Sequence, residues 1–385
     1  MKELKEYKEM ISKCSKCGNC QYYCPTFKVS RIEPFVARGR IELVSAALDG
    51  RIEEFSDLFM KRMNQCLLCG NCSQFCPPGV EAEKIITAMR EECVAQKGVT
   101  GVLKNVKDSV AAVGNITGDA PANRMLWLEN MAEPLKGLKV NEPAEYAYLA
   151  GCVPTLYPSS YSIPQAFVTI LSNAGVSFTL LGAEEICCGY PLLMGGMREE
   201  AKIAALKNIN KLKELGIKKV VTTCPSCYHM WKDYYPELVE TDEPIEVVHA
   251  SVLLQELTNK NELQFNEKKL VVTYHDPCDL GRKSGIFDAP REILTSIPGV
   301  ELREMKFNRL SAMCCGGGGN LEMNDAELSS QVAQERIKQA INTGATILVT
   351  SCQQCKRTLQ NAARQMRARI KIMELNEMVK ENLRN

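Results

Sequence analysis

The feature that most constrains this chain is a cysteine pattern that occurs twice. A cysteine doublet runs into glycine at Cys187-Cys188-Gly189 and again at Cys314-Cys315-Gly316. A single cysteine precedes each doublet and a Cys-x-x-Cys pair follows it, so each copy holds five thiols. The first set is Cys152, Cys187, Cys188, Cys224 and Cys227, and the second is Cys278, Cys314, Cys315, Cys352 and Cys355. Corresponding cysteines lie 126 to 128 residues apart, which indicates an internal repeat.

Length and charge narrow the class of protein. The 385 residues are enough for two or three domains, each with its own core. A formal charge of +1 argues against a nucleic-acid partner, which needs a concentrated basic surface. Residues 1–6 are charged and lack the apolar core of a signal peptide, so we expect a cytoplasmic protein. Its 19 cysteines are then expected to bind metal rather than to form disulfides.

Two further cysteine runs precede the repeat. The first is Cys14, Cys17, Cys20 and Cys24 followed by Pro25, and the second is Cys66, Cys69, Cys72 and Cys76 followed by Pro77. This spacing is typical of ferredoxins with two cubane 4Fe-4S clusters, where three close thiolates bind one cluster and the fourth binds the other. The rule predicts one cluster on Cys14, Cys17, Cys20 and Cys76, and its neighbour on Cys66, Cys69, Cys72 and Cys24. Zinc is the alternative for such pairs, but two identical runs closed by proline favour iron and sulfur.

Apart from these runs, the first hundred residues have helical periodicity. Helices are predicted over 40–48, 53–63 and 81–96, which makes the cluster-binding domain, 1–97, all-helical. The remaining cysteine, Cys93, lies at helical spacing from Ile85 and Met89 and is interpreted as a buried packing residue. Residues 98–143 contain three prolines and are predicted to form a helical and irregular connector.

From residue 144 onwards, short apolar segments alternate with helices. Strands are predicted over 146–150, 177–181, 219–223 and 246–249, and in the second copy over 270–274, 300–305, 346–350 and 370–373. Together with helices such as 199–215 and 325–342, they predict two Rossmann-like α/β domains, 144–262 and 263–385, in an α+β multidomain chain. The uncharged segment 146–183 contains prolines and no apolar stretch of the roughly 20 residues that a membrane span requires. Cys152, Cys224, Cys278 and Cys352 follow predicted strand ends, where open α/β sheets place their sites.

The doublets favour a metal site with several irons. Two adjacent thiols cannot both reach one tetrahedral ion without strain, and five thiolates exceed the four that a cubane cluster uses. Gly189, Gly316 and Gly317 are predicted to lie against the cofactor, because glycine lets the backbone approach a bulky group and leaves amides free to bond sulfur. A flexible loop is the alternative for the glycine run. A dinucleotide site is disfavoured, since the Gly-x-Gly-x-x-Gly context is missing.

Both five-cysteine frames, which begin at Gly151-Cys152 and at Asp276-Pro277-Cys278, resemble the CCG domains of the heterodisulfide reductase family. The N-terminal domain is similar to the alpha-helical ferredoxin module of heterodisulfide reductase and of succinate dehydrogenase. A ferredoxin module followed by two CCG domains is the layout of the D-type subunits of heterodisulfide reductase, and the resemblance covers nearly the whole chain. It implies a noncubane 4Fe-4S cluster on each five-cysteine set, beside the two cubane clusters. Those ten cysteines are then the catalytic residues.

The resemblance implies two classes of function. In one, a disulfide such as the coenzyme M/coenzyme B heterodisulfide lies between the two noncubane clusters, and each captures one sulfur as the bond breaks. In the other, the chain is a noncatalytic electron-transfer subunit of a flavin dehydrogenase for glycolate, lactate or glycerol 3-phosphate, or of a quinone-linked membrane complex. Two complete five-cysteine sets favour the first class. Disulfide reduction also takes two electrons, which clusters pass singly, so two facing sites suit it.

The electrons require a partner, because no flavin or nicotinamide motif is visible. The resemblance implies a membrane cytochrome b, a flavoprotein, or a module of the hydrogenase or formate dehydrogenase type. It also implies a peripheral position on the inner face of the membrane. A zinc-stabilised scaffold is a third alternative, which the two cysteine runs disfavour.

Several side chains beside the cysteines are additional candidates. His229 and His275 are candidate proton donors with a structural hydrogen bond as the alternative role, and His249 is predicted to be structural. The basic residues that follow cluster cysteines are candidates for binding the sulfonate and phosphate of the heterodisulfide, with solvated surface charge as the alternative. They are Arg282, Lys283, Lys356 and Arg357. Asp279 stands where many relatives have histidine, which leaves the proton donor open.

Overall fold

The computed structural model describes residues 2–135, 137–241 and 244–384. From residue 2 to residue 97 its regular elements are helices, and their apolar stripes pack around a common core. The helices are α1 (Lys2–Glu6), α2 (Lys8–Ser12), α3 (Asn19–Tyr23), α4 (Pro25–Ser30), α5 (Ala37–Leu48), α6 (Asp57–Asn64), α7 (Asn71–Gln74) and α8 (Ala82–Lys97). The three predicted helices are confirmed as α5, α6 and α8. Helix α6 begins only at Asp57, because the Ser56 hydroxyl caps it by accepting from the Phe59 amide.

The predicted connector is helical at first and then joins a sheet. Its helices are α9 (Gly101–Val113) and α10 (Leu126–Glu129), with a 3-10 turn over Pro121–Met125 between them. The strand β1 (Lys139–Val140) follows and is absent from the sequence prediction, because two residues are too short to show a strand pattern. The domain boundaries near residues 97, 143 and 262 stay predictions.

The first α/β unit extends from β2 to α17. Its strands are β2 (Tyr146–Leu149), β3 (Phe178–Leu180), β4 (Lys219–Thr222) and β5 (Glu246–His249). Its helices are α11 (Cys152–Leu156), α12 (Ser162–Asn173), α13 (Tyr190–Met194), α14 (Arg198–Glu214), α15 (Pro225–His229), α16 (Tyr235–Leu238) and α17 (Ala250–Asn259). A π-helical turn, Met230–Tyr234, separates α15 from α16. Among the described residues, no helix is long and apolar enough to cross a membrane.

The second α/β unit extends from β6 to α22. Its strands are β6 (Leu270–His275), β7 (Val300–Leu302), β8 (Ile347–Thr350) and β9 (Lys371–Glu374). Its helices are α18 (Asp288–Ser296), α19 (Leu321–Asn324), α20 (Ala326–Ile341), α21 (Gln353–Gln365) and α22 (Leu375–Asn382). All four predicted strands are present, although β7 ends at Leu302, three residues before its predicted end.

Both sheets are parallel and have the same strand order. The first sheet is ordered β1-β3-β2-β4-β5 and the second β7-β6-β8-β9. Because β2 to β5 correspond in sequence to β6 to β9, the two sheets differ in order only by the extra edge strand β1. The predicted α+β architecture, with a helical domain and two repeated α/β units, is therefore confirmed.

The three parts pack closely together. Helices α12 and α17 of the first unit contact α22 and α18 of the second, and residues of both units share one hydrophobic core. The buried Arg90 of α8 joins the helical domain to both units. Its guanidinium donates to the carbonyl oxygens of Cys66, Met194 and Gly319 at 2.7 to 2.9 Å. The helical domain is thereby held beside the segments that carry the doublets.

Candidate functional site

The lone cysteines and the Cys-x-x-Cys pairs lie at the carboxyl ends of central strands. Cys152 and Cys224 follow the neighbouring strands β2 and β4, and Cys278 and Cys352 follow β6 and β8. After β2 the chain continues to β3, towards one edge of the sheet, and after β4 it continues to β5, towards the other edge. Such a switch point is where open α/β sheets bind ligands.

Each Cys-x-x-Cys pair begins a helix. Cys224 and Cys352 are the N-caps of α15 and α21, and their thiols accept hydrogen bonds from the amides of Cys227 and Cys355 at 3.5 and 3.4 Å. The unpaired amides and the dipole of a helix N-terminus favour negative charge on such a sulfur. The three-residue spacing therefore places two thiols at one helix end.

Each doublet ends in a glycine with a left-handed backbone. Gly189 has φ +87° and Gly316 has φ +95°, which is the region that favours glycine. A side chain on Gly189 would also meet Ala201 of α14, and a side chain on Gly316 would meet Ser329 of α20. The close packing of α14 and α20 is therefore enough to explain why glycine is required at both positions.

Two glycine amides bond cysteine sulfur. The Gly189 amide donates to Cys187 Sγ and the Gly317 amide to Cys315 Sγ, both at 3.4 Å. Amides that already point at sulfur are the donors that stabilise thiolate ligands.

The end of the second glycine run makes room for the helical domain. A Cβ on Gly319 would lie 2.5 Å from the Cys66 carbonyl oxygen and 2.6 Å from the Leu67 carbonyl carbon. The corresponding residue of the first unit, 127 positions earlier, is Leu192. The glycine run therefore serves a contact between domains as well as the doublet.

One cavity of about 170 Å³ lies between the two units. Its lining includes nine of the ten cysteines of the two five-thiol sets, namely Cys152, Cys187, Cys188, Cys224, Cys227, Cys278, Cys315, Cys352 and Cys355. Pro225, Pro277 and Tyr157 add apolar surface from both sides. The two sets thus face a common space, which we call the inter-unit cavity.

In the first unit a buried arginine contacts the lone cysteine. Arg124, from the connector, donates from Nη2 to Cys152 Sγ at 3.2 Å. Its guanidinium also lies 3.5 Å from Glu185, whose carboxylate accepts from the Ala150 and Gly151 amides. Although burial opposes it, the charges of Cys152 and Glu185 raise the pKa of Arg124, so the cation is permanent. The interaction with Cys187 and burial raise the pKa of the Cys152 thiol, and the Arg124 cation opposes them by favouring the thiolate.

In the second unit a histidine faces the sulfur atoms. A ring nitrogen of His275 and the Sγ atoms of Cys315 and Cys355 lie within 4.8 Å of one another. The Nδ1 atom of His275 accepts a hydrogen bond from Nε of the buried Arg336 at 3.0 Å. Burial lowers the pKa of His275. The corresponding residue of the first unit, 126 positions earlier, is Leu149.

The second site also touches the helical domain. Cys314 packs in one buried cluster with Cys315 and with Cys69, which belongs to the second N-terminal run, and Cys278 packs against this cluster. The neighbouring Cys314 side chain lowers the pKa of the Cys69 thiol. A predicted cubane ligand and a predicted noncubane ligand are therefore in direct contact.

Asp279 of the second unit reaches into the first. Its carboxylate accepts hydrogen bonds from the hydroxyls of Tyr190 at 3.1 Å and Ser226 at 2.6 Å, and it pairs with Lys283 at 2.8 Å. Lys283 also donates to the Tyr190 hydroxyl at 2.9 Å. Although burial opposes ionisation, Lys283 lowers the pKa of Asp279 to about 2. This carboxylate links the two units beside the cavity, as an ion rather than as a proton donor.

The basic candidates differ in what they contact. Arg282 donates to the carbonyl oxygens of Cys69 and Ala312, and Lys356 pairs with Glu377 outside the inter-unit cavity. These two side chains are held by protein groups and are not solvated surface charges.

Arg357 lines the inter-unit cavity. Its Nη2 lies 2.7 Å from Glu322, and its guanidinium stacks over the Tyr157 ring of the first unit at 4.8 Å. Of the four basic candidates, it is the one in the cavity lining.

Two of the three histidines lie in structural hydrogen bonds. His229 Nδ1 is 2.6 Å from Asp233, one turn along the π-helical segment. His249 caps α17 by accepting from the Ser251 amide, which agrees with its predicted structural role.

The N-terminal cysteines line two further cavities. One is lined by Cys14, Cys17, Cys20, Cys72 and Cys76, and the other by Cys24, Cys66, Cys69 and Cys72. The two runs have the same backbone, with positive φ at Lys16 and Leu68 and at Gly18 and Gly70. Cys17 is exposed, whereas Cys93 is buried in the helical core and lines neither cavity. Groups of four or five thiols with amide donors fit iron–sulfur clusters.

The sequence did not indicate Arg124 or Arg336 as site residues. Arg124 is 28 residues from Cys152 in a connector without a motif, so no local signal marks it. For Arg336 the repeat offers a partial signal, because its counterpart 128 positions earlier is Asn208. Asn208 is also buried, and it donates to the Cys187 carbonyl oxygen at 3.2 Å.

Comparison with known proteins agrees with this arrangement. The family described as a cysteine-rich domain, CCG, matches residues 146–232 and 272–360. The family described as a 4Fe-4S dicluster domain matches residues 10–80. These matches cover both α/β units and both N-terminal cysteine runs, and they show that the chain is an iron–sulfur protein.

Similar proteins cover most of the chain. The D-type subunit of dihydromethanophenazine:CoB--CoM heterodisulfide reductase from Methanosarcina mazei is 31% identical over 94% of this chain and 92% of that protein. EtfAB:quinone oxidoreductase of Syntrophomonas wolfei is 29% identical over 75% of this chain and 42% of its own length. The crystal structure of a hypothetical protein from Helicobacter pylori, at 12% identity and a TM-score of 0.60, covers 98% of this chain and 75% of that one and is alike in fold. The chain therefore belongs to the family of the D-type heterodisulfide reductase subunits and is an iron–sulfur oxidoreductase of that family.

Proposed function

We propose that this chain is a catalytic subunit that reduces a disulfide in the inter-unit cavity. The observation that carries the proposal is that cysteines of both five-thiol sets line this one cavity. A disulfide bound there presents one sulfur to each set. Its reduction consumes two electrons and two protons and yields two thiols. When bound, iron–sulfur clusters supply such electrons one at a time.

The proposed cofactors are four 4Fe-4S clusters. Each five-thiol set holds a noncubane cluster, and the two N-terminal runs hold two cubane clusters with the crossed ligands that their spacing predicts. The grouping of the thiols around separate cavities supports this assignment. The exposed Cys17 marks the end of the path nearest to solvent, and the contact of Cys69 with Cys314 marks its inner end.

Other side chains hold and orient the substrate. Asp279 and Lys283 tie the units together through Tyr190 and so limit the width of the cavity. Arg357 has a buried Nε without a hydrogen-bond partner among the described residues. Because guanidinium binds sulfonate and phosphate well, Arg357 receives an anionic end of a substrate such as the coenzyme M/coenzyme B heterodisulfide.

An electron-donating partner subunit completes the proposal. The relative from Methanosarcina mazei is named as a subunit, and its name includes dihydromethanophenazine as well as the heterodisulfide. A membrane cytochrome b, or a flavoprotein, hydrogenase or formate dehydrogenase module, is accordingly the proposed donor. It docks near Cys17 and holds the chain on the inner face of the membrane.

A second candidate function is electron transfer without a substrate. The likeness to EtfAB:quinone oxidoreductase favours it, because that relative is named for a quinone reaction and not for a disulfide. In this case the inter-unit cavity carries electrons between partners and binds no disulfide.

Anaerobically purified protein distinguishes the two functions. We expect about 16 iron atoms per chain, which is four clusters of four, and oxidation of reduced viologen when the heterodisulfide is added. A fully loaded protein that oxidises no viologen with the heterodisulfide would contradict the catalytic proposal and favour electron transfer. Zinc in place of iron would contradict both.

A further inference from the structure

The two five-thiol sites differ in the groups that face their sulfur atoms, and His275 is the clearest difference. It ends β6, is 1% exposed, and has a ring nitrogen within 4.8 Å of Cys315 Sγ and Cys355 Sγ. Its Nε2 is buried and has no hydrogen-bond partner among the described residues. A buried polar nitrogen beside sulfur atoms has either a ligand role or a donor role.

Arg336 decides between these two roles. Its Nε donates to His275 Nδ1 at 3.0 Å. Because a guanidinium has only donors, Nδ1 is the acceptor, and the proton of the neutral imidazole is on Nε2. A protonated Nε2 has no lone pair for iron, so it is a hydrogen-bond donor and not a ligand. With Nδ1 occupied by Arg336, Nε2 is the atom that is available to the thiols.

We propose that His275 donates a hydrogen bond from Nε2 to the Cys315 sulfur when Cys315 binds a cluster, and that Arg336 holds the imidazole in the required tautomer. This inference rests on the proposed function, in which Cys315 is a cluster ligand. Hydrogen bonds to ligand sulfur raise the reduction potential of a cluster, because they stabilise its more negative, reduced state. His275 is thus a positioning residue that makes the second site easier to reduce.

The first site receives its donor at a different cysteine. Arg124 donates to the lone cysteine Cys152, whereas His275 faces the second cysteine of the doublet. Leu149 stands at the position of His275 in the first unit and offers no donor. The two potentials are therefore set by different groups, and a change at His275 affects one site alone.

The test is spectroelectrochemistry of the fully loaded chain. His275→Leu, which copies the first unit, is expected to shift one potential to a more negative value at unchanged iron content. His275→Gln, which keeps an N–H donor, is expected to reverse part of that shift. Arg336→Met removes the donor to Nδ1, so that the His275 proton can lie on either ring nitrogen. It is expected to shift the same reduction potential in the same direction by a smaller amount. His249→Asn removes another buried histidine and serves as the control with unchanged potentials.

An unchanged potential in His275→Leu, or equal shifts in the Leu and Gln variants, would overturn the inference. Pulsed electron–nuclear spectroscopy adds a second readout, in which an exchangeable proton couples to the reduced cluster of the unaltered chain and is lost in His275→Leu. Strong nitrogen coupling instead would mean direct coordination and would also overturn it. If His275→Leu loses the cluster of the second site, the Arg336→Met variant provides the test instead. An unchanged reduction potential of that cluster in Arg336→Met would overturn the inference. The proposed function itself fails differently. If Cys315 binds no cluster, Cys315→Ala leaves every cluster signal intact, and if the chain is not catalytic, the loaded chain oxidises no viologen with the heterodisulfide whatever residue stands at position 275.

Discussion

The two α/β units carry the same pattern of thiols on two sheets of the same strand order, yet different parts of the chain surround those thiols. In the first unit, Arg124 comes from the connector, outside the repeat, and contacts Cys152. In the second unit, His275 faces Cys315 and accepts a hydrogen bond from Arg336, and both residues come from the repeat itself. The repeat thus preserves the ligands and not their environment. Ligands depend on local spacing, whereas the environment depends on which segment packs nearby.

The units also differ in their contact with the helical domain. Gly319 of the second unit lies against the backbone of Cys66 and Leu67, where the first unit has Leu192. Under the proposed function, this contact gives electrons a route from the second N-terminal run to the second unit.

The largest expected effect tests whether both units are needed for turnover. Cys188→Ala in the first unit and Cys315→Ala in the second should each abolish heterodisulfide reduction, because each sulfur of the substrate requires its own site. Both cubane signals should remain in the spectra of the two variants. Cys93→Ala, a cysteine outside all four sets, should retain activity. Turnover of the heterodisulfide in either doublet variant would show that one site is sufficient. Loss of the cubane signals would instead show that the doublet cysteines have a structural role.

The next effect concerns the first unit alone. Arg124→Met should destabilise it by about 3–5 kcal/mol, because it leaves the buried Glu185 carboxylate without its cation. Adding Glu185→Gln should recover part of that loss. Thermal unfolding under anaerobic conditions measures both effects. The exposed pair partner Lys104 is the matched control, and Lys104→Met should change stability by less than about 1 kcal/mol.

A smaller effect tests the contact of the second unit with the helical domain. Gly319→Ala should cost about 1–3 kcal/mol and slow the reduction of the second site by viologen, because its Cβ would push Leu67 away. Gly285→Ala is the control, since Gly285 also has a positive φ but no neighbour within 4 Å. Stopped-flow reduction and unfolding measure the two consequences. Equal rates in both variants would mean that this contact does not carry electrons.

The smallest expected effect is an opposite dependence of stability on pH in the two units. The helix after the last strand is capped by His249 in the first unit and by Glu374 in the second. Burial lowers the pKa of His249 from 6.5 to about 3 and raises the pKa of Glu374 from 4.5 to about 8. The first unit should therefore lose stability as pH falls below 6.5, and the second as pH rises from 4.5 towards 8. For each group, the free energy of unfolding should change by at most about 1.4 kcal/mol per pH unit.

Hydrogen exchange resolves this difference along the chain. Amides of α17 should exchange faster at pH 5.5 than at pH 7, and amides of α22 faster at pH 8 than at pH 7, after correction for intrinsic rates. His249→Asn should remove the first dependence and Glu374→Gln the second. If the exchange rates of α17 and α22 change with pH in the same direction, the caps His249 and Glu374 do not control the pH dependence of exchange.

Much of the fold was predictable because its signals are local. The strands that precede Cys152, Cys224, Cys278 and Cys352 are short apolar runs, and all of them are present. The strand β1 was not predictable, because its two residues owe their conformation to pairing with β3. The same holds for the contact of Cys69 with Cys314, which joins residues far apart in sequence.

Three side chains show where prediction from the sequence reached its limit. Arg357 was one of four basic candidates, and only the fold separates it from the adjacent Lys356, which is buried beside Glu377 at a different cavity. Asp279 was noted as a departure from the family pattern, but its bonds to Tyr190 and Ser226 depend on how the units face each other. Such contacts have no sequence signature.

The sequence by itself determined the number of thiol sets, their internal repeat and the α/β class of the units that carry them. These properties follow from spacing, since three residues place two thiols at one helix end and a strand end places a cysteine at the sheet edge. Only the tertiary structure decided that both sets line one cavity, and that Arg124 supports one set while His275 and Arg336 support the other. The physical reason is that buried charges and hydrogen bonds are satisfied by whichever groups the packing brings within reach, irrespective of their distance along the chain.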